Sequence, residues 1–449
     1  MKNKLYWFFY GNLINFSALS ASAVYAEISL YQQKNTEIYA TVNGTLGMFH
    51  SNKGYIPETE NQKYNWQEGY VQYGLGINKK IANEGTVYAK TSLVTAVTLG
   101  DGDAGGYTDG SESATKIEDA YIGWKSGNIF PILGEDGLDI SYGRQNLCLG
   151  DGFLICADAP NLGNAPAFPK QYHHDGGGTY YLAGHRNFKD TAILKLAKNK
   201  PISLSLFTFK SNNPIQMYAR FTGTNLNYQY NKHHLEFTYL QNNSLDHYLA
   251  TPETLGTNAF REKMKVYSLH GTSNLNLQNA LFSFEYAYQN KKNSDTANAW
   301  YIKTGYIFSN LKWEPSIFVR YSRFSENWDN LFVGAAEYGT WFQGEVAYNY
   351  SGPFNNNTQI STVGLNFSPK ENLSFGAIFY KFDTLNKVDA PNLSGKELDI
   401  YGVWNINEKL MLSPVLAFYK PEDDDTNNGL QNGNHKLNFY YSIILSYSF

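Results

Sequence analysis

The stretch KLNFYYSIILSYSF, Lys436 to Phe449, decides the fold. Leu437, Phe439, Tyr441, Ile443, Leu445, Tyr447 and Phe449 occupy every second position, and Asn438, Ser442, Ser446 and Ser448 share the other register with Tyr440 and Ile444. A strict period of two places one row on each face of a β-strand. Seven apolar members with aromatics at both ends suit a strand that meets lipid on one face and a polar lumen on the other, with aromatic girdles at the interfaces. The competing reading is the last strand of a soluble sandwich.

Working outward, residues 1–26 read as an export signal. Lys2 and Lys4 give a positive start, Leu5 to Phe16 is mostly apolar, and Val24-Tyr25-Ala26 is a cleavage site before Glu27. Removal of this segment leaves residues 27–449 as one domain with 34 basic and 40 acidic residues, a net charge of −6. That balance excludes nucleic acid as a partner. Beyond Ala26 no apolar run reaches the length of a membrane helix, so spanning falls to strands. Aromatics make up 16% of the chain while mean hydropathy is only −0.43, as expected where polar and apolar residues alternate.

Alternating runs bounded by turn residues predict strands at 37–49, 68–80, 84–99, 114–125 and 138–145. The pattern resumes at 186–198, 201–211, 216–230, 232–242, 262–275, 280–290, 298–309 and 312–323. It ends with 358–368, 373–382, 396–407, 409–420 and 436–449. Short turns such as Ile81-Ala82-Asn83, Asn231 and Asn310-Leu311 alternate with long polar loops, and in outer-membrane barrels the short turns are periplasmic. Parity then tests the run 338–350. Two short turns, at 310–311 and 369–372, must enclose an even number of strands, so 338–350 is dropped, giving eighteen strands, or a hidden partner near 331–335 gives twenty. The predicted fold is all-β, a transmembrane antiparallel barrel of eighteen strands with long extracellular loops. It belongs in the bacterial outer membrane, with lipid and lipopolysaccharide as its surroundings.

The longest break, Asn146 to His185, holds Cys148 and Cys156, Pro160, Pro166 and Pro169, His173-His174-Asp175 and Gly176 to Gly178. A segment this long without strand spacing is expected to be functional, folded inward to narrow the lumen. The cysteine pair reads as a disulfide in an oxidising compartment, with two free thiols as the alternative. His173-His174-Asp175 is a polar loop or a metal site that lacks a third ligand. Asp101-Gly102-Asp103 with Asp109, and the cluster 422–425, read as solvated outer loops rather than calcium sites. No metal or other cofactor is expected.

The less apolar row of each strand places Lys90, Lys195, Arg220, Lys303 and Arg320 inside, with Glu236, Glu285 and Glu314. Such a lumen either favours anionic solutes through its field or pairs its charges across strands and stiffens the wall. Catalysis would need a nucleophile with a base. Ser268 and His270 share a face, but no orienting acid is recognisable beside them, so an enzyme is not expected.

Tyr142-Gly143-Arg144-Gln145 followed by Leu149-Gly150-Asp151-Gly152-Phe153-Leu154-Ile155 resembles the alginate-export family of outer-membrane barrels. Asp329-Asn330-Leu331-Phe332 ahead of Gly339-Thr340-Trp341 resembles a second segment of related proteins, with Asn330 where a Pro is expected. The resemblance implies an eighteen-stranded barrel that exports an anionic polysaccharide passively, with Arg144, Arg186, Arg220 and Arg320 as candidate lumen arginines. The chain departs from a strongly electropositive conduit, with six Arg against 40 acidic residues. A porin for small polar solutes is the alternative, and a receptor the third. The closing Phe449 resembles the signal read by the barrel-assembly machinery.

Overall fold

Strand spacing becomes one continuous sheet. The computed structural model describes residues 27–449 except 57, 58, 60, 82, 83, 160, 165–177, 247–259, 293, 335–342 and 432–434. The export segment 1–26, His173-His174-Asp175 and Gly339-Thr340-Trp341 lie outside the described residues. The strands are β1 (Glu27–Gln33), β2 (Thr36–Ser51), β3 (Tyr64–Lys80), β4 (Thr86–Gly100), β5 (Ser113–Lys125) and β6 (Leu138–Gln145). Next come β7 (Phe188–Leu196), β8 (Ile202–Lys210), β9 (Arg220–Tyr230), β10 (His233–Ser244), β11 (Lys265–Ser273), β12 (Ala280–Asn290) and β13 (Ala297–Ile307). The last are β14 (Ser316–Phe324), β15 (Thr358–Lys370), β16 (Leu373–Thr384), β17 (Gly395–Asn405), β18 (Leu410–Pro421) and β19 (Asn438–Ser448).

From β2 onward each strand pairs antiparallel with the next, and β19 returns to pair with β2, so β2 to β19 close an eighteen-membered barrel. β1 adds no position to the ring. It lies on the same edge of β2 as β19 and continues it end to end: Ser448 stands opposite Asn43, Phe449 N donates to Val42 O, and Glu27 stands opposite Thr41. Every one of the eighteen expected runs forms a strand. Within the run 338–350 the described residues 343–350 form no strand, with 347–351 in a π-helical turn, and the closed ring has eighteen members rather than twenty. β1 was not anticipated.

Closure satisfies every strand edge, which is what lets strands cross a bilayer. Among the described residues no helix is long and apolar enough to do so. The two rows of β19 separate as their spacing predicts: Ile443, Leu445 and Tyr447 stay exposed on the outer face, while Tyr440, Ser442 and Ile444 are buried inside. Connections at one end are short, two residues at 231–232 and at 371–372, and those at the other end run up to 146–187 and 325–357.

Candidate functional site: a lumen narrowed by two loops

The long connection 146–187 turns inward from β6. Cys148 and Cys156 are joined, with S–S 1.96 Å, and Leu149 N donates to Ile155 O across the small ring they close. Ile155 forms a parallel bridge with Phe332, and Cys156 N donates to Phe332 O at 2.8 Å. The return leg is held by wall carboxylates. Glu68 accepts from Tyr181 N and Leu182 N, and Glu118 from Arg186 N and Asn187 N at 2.8 and 2.9 Å.

The expectation of a single constriction loop needs correction, because 325–357 also folds inward. Arg261 clasps Asp329 with both prongs, at 2.6 and 2.7 Å, and each is 1% exposed. Glu397 on β17 accepts from Val346 N and Ala347 N. The two loops bind each other: Tyr181 OH donates to Glu345 Oε2 at 2.6 Å and Tyr180 OH to Asn349 O at 2.8 Å. Between them Phe153, Phe188, Phe209, Phe221, Trp328 and Phe332 form an aromatic core. Burial of Phe332 alone is worth about 2 kcal/mol, so the loops are packed plugs rather than fringes.

Loop carboxylates register this burial. Asp158, accepting from Ser211 Oγ and Asn212 N, is pushed by burial up to about 6 despite those bonds and the nearby Arg144. Burial likewise lifts Asp103 to about 6. At Asp329 burial works the same way, but the Arg261 guanidinium outweighs it and the carboxyl falls below its ordinary value.

A cavity of about 550 Å³ lies against the β2 to β7 wall. Its cations are Lys90, Lys125, Arg186, Lys195 and Lys198, and its carboxylates are Glu27, Glu118, Asp119 and Asp139. Most of the acids are engaged. Lys90 Nζ lies 2.9 Å from Asp119 Oδ2, Glu118 holds the loop backbone, and Asp139 accepts from Tyr88 OH at 2.6 Å. Among the described residues Lys125, Arg186, Lys195 and Lys198 form no ion pair, and Arg186 Nε has no hydrogen-bond partner.

The expected lumen residues therefore divide. Lys90, Lys195 and Arg186 line the open cavity. Arg144 sits at the root of the loop, donating to the Asn187 carbonyl at 3.4 Å. Arg320 faces inward but is covered by the second loop, donating to Gln343 Oε1 at 3.1 Å. Lys303, directly opposite Arg320 in register, faces inward over the Phe318 ring. Arg220 is misplaced by the sequence reading: Phe221, Gly223 and Asn225 take the buried row, so Arg220 points outward with Leu226 and Tyr228 and pairs with Asp190. Glu314 lies in the turn 308–315, not on a strand. Glu236 and Glu285 do face inward, but they converge on the opposite wall. Ser268 Oγ donates to Glu285, so it makes no pair with His270.

Lys125, Lys198 and Arg261 were missed. Lys125 is the last residue of β5 and Lys198 lies two residues beyond the end of β7, where parity is hardest to follow. Arg261 gave no signal, since its partner lies 68 residues away.

No family model matches the chain, and no curated protein matches it by sequence. Solved structures of outer-membrane porins of the Occ/OprD group do match in fold. Pseudomonas aeruginosa OpdQ superposes with a TM-score of 0.56 at 11% identity, over 91% of this chain and 97% of that one. P. aeruginosa OccD3 (OpdP) gives 0.54 at 10%, over 91% and 90%, and P. aeruginosa OccK7 (OpdD) 0.54 at 11%, over 91% and 98%. The alginate-export resemblance gains no support from these comparisons. The chain is an all-β closed antiparallel barrel of eighteen strands with the fold of these outer-membrane porins.

Proposed function

We propose that the barrel is a channel for passive diffusion of small polar solutes, with a preference for anions. The observation that carries this reading is the cation excess of the cavity, five cations to four carboxylates: among the described residues Lys125, Arg186, Lys195 and Lys198 face it without ion-pair partners, while three of its four carboxylates are engaged by the wall and loop. Cations in a low-dielectric passage lower the barrier for an anion and raise it for a cation. The fold shared with Occ/OprD porins supports a channel. Two in-folded loops bound to each other and the fold shared with porins favour small solutes over a polysaccharide chain, so the porin alternative takes precedence over alginate export.

Liposome swelling tests the reading. Vesicles carrying the refolded protein should admit small carboxylates faster than neutral sugars of the same size, and those faster than matched amines. Equal rates for the three classes would remove the anion preference, and absence of swelling would remove the channel.

A further inference from the structure

One inward row crosses the wall opposite the basic cavity. Register sets Glu236 of β10 across from His270 of β11, His270 across from Glu285 of β12, and Glu285 across from Tyr301 of β13. All four are buried, none more than 6% exposed. The in-folded loop reaches the same row, where Tyr301 OH donates to Asp151 Oδ2 at 2.7 Å. Gly150, at φ +53°, comes so close that a Cβ would stand 3.4 Å from His270 Nδ1.

Three carboxylates, Asp151, Glu236 and Glu285, thus gather around one imidazole. Ligand atoms of Asp151, His270 and Glu285 lie within 4.8 Å of one another, as do those of His234, Glu236 and His270. Among the described residues neither ring nitrogen of His270 has a hydrogen-bond partner. The Glu236 carboxylate is 3.9 Å from Nδ1, too far for a hydrogen bond. A buried imidazole left without a hydrogen bond is costly, and so is an excess of buried negative charge. A doubly charged cation with affinity for an imidazole nitrogen relieves both.

We infer that Asp151, His270 and Glu285 hold a divalent transition-metal ion of the zinc class, with Glu236 accepting the hydrogen bond from the second imidazole nitrogen. One nitrogen and two carboxylates suit such an ion, whereas calcium and magnesium favour all-oxygen sites. The orienting partners are in place: Tyr301 donates to Asp151 and Ser268 to Glu285. His234 is engaged with Asn227 at 2.9 Å and stands outside the ligand set. Two ligands come from the wall and one from the loop, so the ion ties the constriction to β11 and β12.

The test uses the untagged full-length protein, folded in detergent, stripped with a chelator and titrated with Zn²⁺ by calorimetry in excess Mg²⁺ and Ca²⁺. One Zn²⁺ per barrel is expected. Asp151→Asn and His270→Gln should each weaken binding by more than about 100-fold, and Glu236→Gln by roughly 10–100-fold. No binding by the native chain, or affinity unchanged in Asp151→Asn and His270→Gln, would overturn the site. Heat-modifiable gel mobility reports folding. Should His270→Gln fail to fold, the loop variant Asp151→Asn decides alone.

Discussion

Arg261 shows how much one residue off the strands can carry. Its guanidinium meets Asp329 twice, reaches Gln216 Oε1 and Leu331 O, and covers the Phe332 ring. Arg261→Ala leaves a buried carboxylate unpaired, a loss of about 3–5 kcal/mol. The expected result is a second loop that detaches: faster protease cleavage within 325–357, with the barrel still folded. Asp158 sets a pH dependence. Its folded value of about 6 lies above the ordinary 3.8, so the folded state binds the proton more readily and the ionised form opposes folding. That penalty is full above about 6, fades as pH falls towards 3.8, and is absent below. In urea titrations Asp158→Asn should therefore be more stable than the native chain at pH 8, with the gap closing by pH 4. A gap independent of pH would contradict this. Neither residue's role was legible in the sequence, because each depends on a partner brought near only by the closed barrel.

At the level of elements the sequence was far more informative. A strand buried on one face and wet by lipid on the other must alternate, so all eighteen runs followed from local pattern, whereas parity left 338–350 either dropped or joined by a hidden partner. β1 escaped because it is a short extension paired along one edge. Arg220 escaped because the row of β9 that is less apolar at its start is the outer one, a rim where the pair with Asp190 suffices. His270 had been noticed beside Ser268, and Glu236 and Glu285 as lumen acids, yet only cross-strand register puts them in one row. The lipid face gives a direct prediction. Ile443 is mid-strand and 44% exposed, so Ile443→Lys should cost about 2–4 kcal/mol, read from the unfolding midpoint in lipid vesicles. A change near zero would mean that this row does not face lipid.

For the whole molecule, the barrel was foreseeable and its plugging only half so. Length and composition marked 146–185 as an inward loop, but nothing in 325–357 pointed inward. What brings it inside is long-range: the Ile155 to Phe332 bridge, the Tyr181 to Glu345 bond and the Glu397 clamp. These contacts cover Arg320, while the basic cavity lies against β2 to β7, which moves the proposed selectivity from Arg144, Arg220 and Arg320 to Arg186 with Lys125, Lys195 and Lys198. The most direct measurement is the reversal potential of single channels in a planar bilayer under a salt gradient, for the native chain and for a variant with those four residues replaced by Gln. Anion preference in the native channel that falls or reverses in the variant is expected. Cation preference in the native channel, or the same reversal potential in both, would contradict a basic passage.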